Sequence, residues 1–258
     1  MNKVKLSVVI ITYNEEQNIA RCLESVKDIA DEIVVVDSFS TDRTEEICKK
    51  HSVKFIKNTF EGHIEQKNFA ITQASYPHIL SLDADEALSK ALKLSVEKAK
   101  NNFDADGYTM NRLSSYCGKW IRHGRWYPDR KLRLWDSRKG SWQGQNPHDT
   151  FKLENGSKVK HLNGDILHYT YHTISQHTLQ IHKFTDLSAQ AAFNNGKRSS
   201  LIKIIGKPIF KFFADYFIKA GFLDGYYGFI IAIFGSYYKF MHLVKLKNIQ
   251  QVKEKSTK

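Results

Sequence analysis

Residues 79–87 read Ile-Leu-Ser-Leu-Asp-Ala-Asp-Glu-Ala, and the reading of this stretch decides the fold. Ile79, Leu80 and Leu82 form the apolar end of a strand, which then runs into Asp83, Asp85 and Glu86. Carboxylates crowded at a strand end repel one another and must stay solvated, so they are poor packing material. An Asp-x-Asp pair has a use as a hard-cation site. Mg²⁺ and Mn²⁺ prefer carboxylate oxygens, and a protein often supplies only one or two of them beside substrate phosphates. An acidic turn that merely leaves the strand has the same composition, so the surrounding sequence has to separate the two readings.

Upstream, residues 6–12 (LSVVIIT) and 32–36 (EIVVV) are β-branched runs of the kind buried on both faces of a sheet. Asn14 is placed to cap a helix reaching residue 26, with Ile19, Leu23 and Val26 on one face. Asp42 followed by Glu45 reads as a capping-box variant that opens a helix to residue 50. Residues 53–57 and 78–82 read as further strands, and 64–74 and 88–101 as further helices. Strand and helix alternate, which predicts an α/β, Rossmann-like, doubly wound and mostly parallel sheet. In such sheets ligands bind beyond the carboxyl ends of the strands. Three strands here end in groups suited to a nucleotide: Asn14 and Glu15, Asp37, then Asp83 and Asp85. There is no G-x-G-x-x-G loop and no Walker A lysine loop, so dinucleotide redox chemistry and P-loop hydrolysis are not the expected activities.

The chain has 258 residues, 41% of them hydrophobic, and a formal net charge of +12, which suits a polyanionic partner. Its three cysteines lack metal-ligand spacing and read as reduced packing thiols of a cytoplasmic protein. The apolar run at the N-terminus is too short for a signal peptide. No run reaches the roughly 18 unbroken apolar residues expected of a spanning helix.

Beyond residue 102 the character changes. Residues 115–142 are dense in aromatic and basic side chains, with Arg112 just before them and Lys119, Arg122, Arg125, Arg130 and Arg133 among them. That mixture suits a surface gripping sugar rings and phosphates, and equally a half-exposed sheet with a basic outer face. Residues 201–246 are crowded with Phe, Tyr and Ile punctuated by lysines. They read as two helices lying in a membrane interface, with a pair of core helices as the competing placement. The expected organisation is a main domain over 1–196, divided at 101/102 into donor and acceptor halves, followed by a membrane-associating amphipathic appendage over 197–258.

The segments T-Y-N-E-E, V-V-D-S-F-S-T-D and S-L-D-A-D-E together resemble the family 2 glycosyltransferases of the GT-A fold. E-G-H-I-E-Q-K-N-F-A, G-K-W-I-R-H-G-R-W-Y-P-D, L-R-L-W, P-H-D, G-D-I-L-H-Y and F-L-D-G-Y-Y-G-F-I-I-A resemble the branch that adds glucose to the inner-core heptose of lipopolysaccharide. The resemblance covers the chain to about Leu246. It implies an inverting, metal-dependent hexosyltransferase that moves glucose from a UDP-sugar donor to a lipopolysaccharide-core glycolipid. It also implies work at the anionic inner face of the cytoplasmic membrane, without nucleic acid. A polyprenyl-phosphate acceptor is the alternative within the fold, and a non-catalytic basic binding protein the alternative outside it.

Residue by residue, the resemblance puts Thr12, Asn14 and Glu15 around the nucleotide, Asp37 at the uracil or ribose edge and Lys67 against the diphosphate. Asp83 would meet the ribose or sugar, Asp85 would hold the Mg²⁺ or Mn²⁺, and His168 would serve as a further metal or diphosphate ligand. Asp149 would be the catalytic base, with Asp129 as its rival, and Arg112, Arg122, Arg125 and Arg130 would bind the acceptor. Two positions depart from the pattern: Phe39 stands where the family often has Gly, and Asp149 where the branch usually has Glu.

Overall fold

The computed structural model describes residues 3–145 and 148–256; Pro147, the first residue of the P-H-D segment, lies outside them. The chain forms two compact units. The first takes the chain up to Leu113 together with Asp129–Tyr169, and the second takes Ser114–Pro128 and the chain from Thr170 onward.

The first unit begins with β1 (Leu6–Thr12), α1 (Ile19–Val26), β2 (Glu32–Asp37), α2 (Thr44–Lys49), β3 (Lys54–Lys57), α3 (His63–Thr72) and β4 (His78–Asp83). It continues through β5 (Glu86–Leu88), α4 (Lys90–Asn101) and β6 (Gly107–Tyr116), whose last three residues belong to the second unit. After β7 (Lys119–Trp120), which lies in the second unit, the chain returns with β8 (Asp129–Asp136), β9 (Gly140–Gln145), β10 (His148–Leu153) and β11 (Val159–Tyr171). The strand order is β3-β2-β1-β4-β8-β6-β11-β5. The first four run parallel, as a doubly wound sheet requires, and β8, β6 and β5 extend the sheet with antiparallel pairings. β9 and β10 form a separate antiparallel ribbon.

The parallel strands are apolar throughout because both of their faces are covered. Val8 and Ile10 on β1 pack with Ile19 and Leu23 of α1 and Leu92 of α4. Val9 faces the other way and packs with Ala70 of α3 and with Trp135, Trp142 and Phe151. The register sets Thr12 beside Asp37 and Ile11 beside Asp83, so the polar ends of β1, β2 and β4 are level.

Three local expectations are corrected. Asn14 does not cap α1: it sits in the left-handed region at φ 54°, its side chain accepts from Thr41 N at 2.8 Å, and the helix starts at Ile19. Asp42 and Glu45 do not form a capping box. Asp42 instead accepts from Thr44 N and Glu16 N, while Glu45 pairs with Lys49 and Lys57. The helix expected over 88–101 starts later: Leu88 ends a strand, 86–88, that pairs with β11, and Ser89 caps α4 by accepting from Leu92 N at 3.2 Å. Gly164 makes this junction possible, since a Cβ there would lie 2.3 Å from Leu92 N.

In the second unit, α5 (Ile174–Asn194), α6 (Leu201–Phe213) and α7 (Gly225–Ser256) pack together, α7 lying on both of the others. Helix α5 groups with the C-terminal helices in the second unit. Thr173 and Gln176 close a capping box at the start of α5. The glycines, Ser236 and Lys239 do not interrupt α7. Gly221–Lys253 is one helical stretch long and apolar enough to cross a membrane by length and composition, unlike the broken segment expected there.

Aromatic rings gather around Tyr116, and His177 is among them: its Nδ1 is 3.1 Å from Tyr116 Oη and its ring stacks on Tyr171. Burial pushes the His177 pKa down to about 4. The unfolded chain, with the ordinary value of 6.5, therefore binds a proton between pH 4 and 6.5 that the folded chain refuses. Stability that is full above about pH 6.5 is lost as pH falls toward 4. His177→Phe should flatten the fall in Tm across that window, as read by thermal melts at stepped pH; an unchanged slope would mean that other groups set it.

Candidate active site at the strand ends

The carboxyl ends of β1, β2 and β4 each deliver a polar group, and α3 reaches over to meet them. Lys67 on α3 is 5% exposed and bridges two acids, Asp83 Oδ1 at 3.0 Å and Asp149 Oδ2 at 2.8 Å. Arg133 on β8 reaches Asp83 Oδ2 at 2.9 Å and Glu86 Oε1 at 2.8 Å. Glu86 also meets Arg112 Nη1 at 3.4 Å, and Arg112 Nη2 lies 2.8 Å from Asp129 Oδ2. The result is a chain of alternating charge: Asp149, Lys67, Asp83, Arg133, Glu86, Arg112, Asp129. Burial by itself would raise the Asp83 pKa, but Lys67 and Arg133 outweigh it and hold the carboxyl well below the usual range. Burial likewise opposes the charge on Arg133, and Glu86 with Asp83 more than offsets it, pushing its pKa up.

Neighbouring residues of α3 lock this chain in place. Asn68 accepts from Trp142 N and donates to Trp142 O, each at 3.0 Å, which fixes β9 beside the helix. Lys67 Nζ then lies 4.5 Å from the centre of the Trp142 ring. Gln66 bridges Asn58 and Ser38, tying the helix to the loop after β2.

The loops after β1 and β2 are laced together. Asn14 N donates to Ser40 Oγ, and Glu15 N donates to Thr44 Oγ1, both at 2.8 Å. Asp37 is fully buried and accepts from Ser40 N and Ser40 Oγ, so it shapes its loop from within. That turn puts Phe39 at φ 61°, the left-handed region where glycine is favoured, with its side chain in solvent. Burial, and then the charges of Asp85, Asp42 and Asp83, push the Glu15 carboxyl up to about 7 against the donating Asn18 side chain.

Beyond β4, Asp85 Oδ2 lies 3.1 Å from His168 Nε2 on β11. Both side chains keep some exposure, and no group of three acidic, His or Cys donors forms among the described residues. A carboxylate and an imidazole fit a divalent ion whose remaining ligands come from phosphate and water. Three buried donors at this end of the sheet, Thr12 Oγ1, Arg133 Nη1 and Trp142 Nε1, have no partner among the described residues. Buried polar atoms ordinarily have partners, so these suit a polar ligand.

The expected site residues therefore divide. Thr12, Asn14, Glu15, Lys67, Asp83, Asp85, Asp149 and His168 stand at the strand ends or on the elements that meet them. Arg112 is held by Glu86 and Asp129. Arg130 is exposed on β8, while Arg122 and Arg125 are in the second unit, where Arg125 pairs with Asp215. Glu86, Asn68, Gln66 and Trp142 went unassigned from sequence. The signal for two of them was the polar density of Gln66-Lys67-Asn68 inside a helix with a weak apolar stripe.

Comparison with known proteins gives a consistent picture. The profile of "Glycosyl transferase family 2" matches residues 7–160. An uncharacterised glycosyltransferase of Rickettsia typhi is 30% identical over 95% of this chain and 87% of its own length. The lipopolysaccharide core biosynthesis glycosyltransferase LpsC of Rhizobium meliloti is 32% identical over 95% of this chain and 92% of its own. Among solved structures, a mannosyltransferase from Pyrobaculum calidifontis, in complex with GDP-Man and Mn²⁺, aligns with a TM-score of 0.54. It covers 95% of this chain and 88% of that one at 14% identity, a likeness of fold.

Removing one partner of a buried ion pair leaves the other charge stranded, at a cost of about 3–5 kcal/mol. Arg133→Met should therefore lower the urea-unfolding free energy by about that amount, whereas Arg130→Met on the exposed side of β8 should change it by less than about 0.5 kcal/mol. Equal effects of the two substitutions would contradict the network.

Proposed function

The chain belongs to glycosyl transferase family 2, and from that membership we propose that it transfers glucose from UDP-glucose to a lipopolysaccharide-core glycolipid, inverting the anomeric carbon. The observation that carries this reading is the meeting of Lys67, Asp83 and Asp149 beside the Asp85–His168 pair. The acceptor class is supported by the near full-length relationship to LpsC.

Sugar transfer forms a bond between an acceptor oxygen and C1 and breaks the bond from C1 to the diphosphate. The leaving group is strongly anionic. A divalent ion held by Asp85 and His168 would stabilise that charge as a Lewis acid. Lys67 adds a fixed positive charge, and its present partners, Asp83 and Asp149, are carboxylates that a diphosphate oxygen can replace. Thr12 Oγ1, buried without a partner among the described residues, is a donor for the nucleotide. Glu15, whose pKa is raised to about 7, lies where a bound cation would draw its proton off.

The acceptor hydroxyl needs one general base. Asp129 is held at both oxygens, by Arg112 and by Lys131, whereas Asp149 is held through Oδ2 by Lys67. Asp149 is therefore the base in this proposal: it takes the hydroxyl proton as the oxygen attacks C1. Arg130, exposed on β8, is the candidate in this unit for pairing with acceptor phosphates and carboxylates. Such an acceptor lies in a membrane, so we assign the enzyme to the anionic cytoplasmic face of that membrane.

Asp149→Asn should lower kcat by about 10²–10⁴ while the KM for UDP-glucose stays near wild type, because the base meets the acceptor and not the nucleotide. Asp129→Asn should act mainly on stability. Asp85→Ala, or EDTA added to the wild type, should silence UDP release, and Mn²⁺ or Mg²⁺ should restore the wild type. The assay is UDP release with lipopolysaccharide truncated to its inner core. Full activity in EDTA would remove the metal from the mechanism, and an active Asp149→Asn beside a dead Asp129→Asn would move the base.

A further inference from the structure

The second unit exposes an apolar face without an acidic group on it. Along α6, Ile202, Ile205, Ile209 and Phe213 are all exposed, Ile202 at 84%, and their spacing of three and four residues puts them on one side of the helix. Phe217 and Ile218 continue the face past the end of α6. Soluble monomers rarely expose contiguous apolar surface of this extent. Between residues 197 and 253 there are ten Lys and Arg and only two acids, Asp215 and Asp224. Both acids are buried and bonded inward: Asp215 to Arg125 and Lys211, Asp224 to the amides of Arg122 and His123. What remains outward is apolar groups with cations between them, including Lys203, Lys207 and Lys219.

This surface complements an anionic lipid interface, which offers acyl boundary to the isoleucines and phenylalanines and phosphate to the lysines. A second copy would instead set lysines against lysines. Helix α7 is long enough to cross a bilayer, but polar contacts tie it to α5. His242 Nδ1 is 2.8 Å from Ser188 Oγ, and Lys245 Nζ is 2.7 Å from Asp186 Oδ1 and 2.9 Å from Thr185 Oγ1. Crossing by the apolar half of α7 would carry His177 and His182 of α5, packed on Phe234 and Tyr237, into hydrocarbon.

We propose that residues 201–223 insert from one side into the headgroup boundary of an anionic membrane, and that α7 does not cross it. The loop bearing Arg122 and Arg125 moves with the inserted segment, because Asp224 holds its amides, Lys119 Nζ donates to Asp224 O at 2.8 Å, and Gly124 N donates to Lys219 O at 2.8 Å. Arg122, exposed on that loop, would then meet anions of the lipid surface.

The test is flotation of the full chain with preformed vesicles of phosphatidylcholine, with and without phosphatidylglycerol. The wild type should float with the anionic vesicles, less so at high salt, and should exchange onto a second vesicle population. Ile205→Glu with Ile209→Glu should weaken binding by about tenfold or more, while Leu94→Glu, at an exposed apolar site of the first unit, should leave it unchanged. Equal binding by all variants would overturn the proposal, as would failure to exchange, which marks a spanning helix. A wild type that does not float but elutes as a dimer dissociated by the double substitution would also overturn it. Flotation involves no turnover, so a protein that floats yet transfers no sugar counts against the transferase reading alone.

Discussion

A lysine shared between two carboxylates holds the strand ends of this protein together. Lys67 reaches from α3 to Asp83 at the end of β4 and to Asp149 on β10, and Arg133 passes the same charge compensation on to Glu86. Without it, Asp149 would lose its ion pair and Asp83 would keep Arg133 alone. With it, Asp83 stays ionised in a half-buried place, and β4, β8, α3 and the β9–β10 ribbon are tied to one another. In the proposed reaction a diphosphate would compete for Lys67 with more negative charge than either carboxylate carries.

Much of this was legible in the sequence because periodicity and strand-end chemistry are local properties. The β-branched runs of β1 and β2 and the apolar end of β4 announced a parallel sheet, and the level register of Thr12, Asp37 and Asp83 follows from that topology. The antiparallel half was harder to see. Residues 86–88 continue straight into a helical pattern, and only their pairing with β11, far along the chain, makes them a strand. Partner choice was harder still. Arg112 and Arg133 look like their basic neighbours in composition, yet burial against Glu86 makes them internal, while Arg130 stays outside. Asn14 and Asp42 have the side chains of helix caps, but each found a better acceptor role across the gap between two loops.

The second unit solves a different problem. Asp215 and Asp224 are spent on internal ties, and its aromatics are split between an interior cluster around Tyr116 and the outer face of α6. A helix pattern in the sequence cannot distinguish these two uses of Phe and Tyr, because both give an apolar stripe at the same spacing. What separates them is which stripe α5 and α7 cover, and they leave that of α6 open.

The central claim is that the ends of β1, β2 and β4 with His168 form a nucleotide-diphosphate and metal site. Anomalous diffraction from crystals grown with Mn²⁺ and UDP tests it most directly. The account predicts one strong manganese peak about 2.0–2.3 Å from a carboxylate oxygen of Asp85, with His168 as a second protein ligand and the diphosphate oxygens beside Lys67. A manganese peak remote from Asp85, or UDP bound away from Thr12 and Asp83, would contradict it.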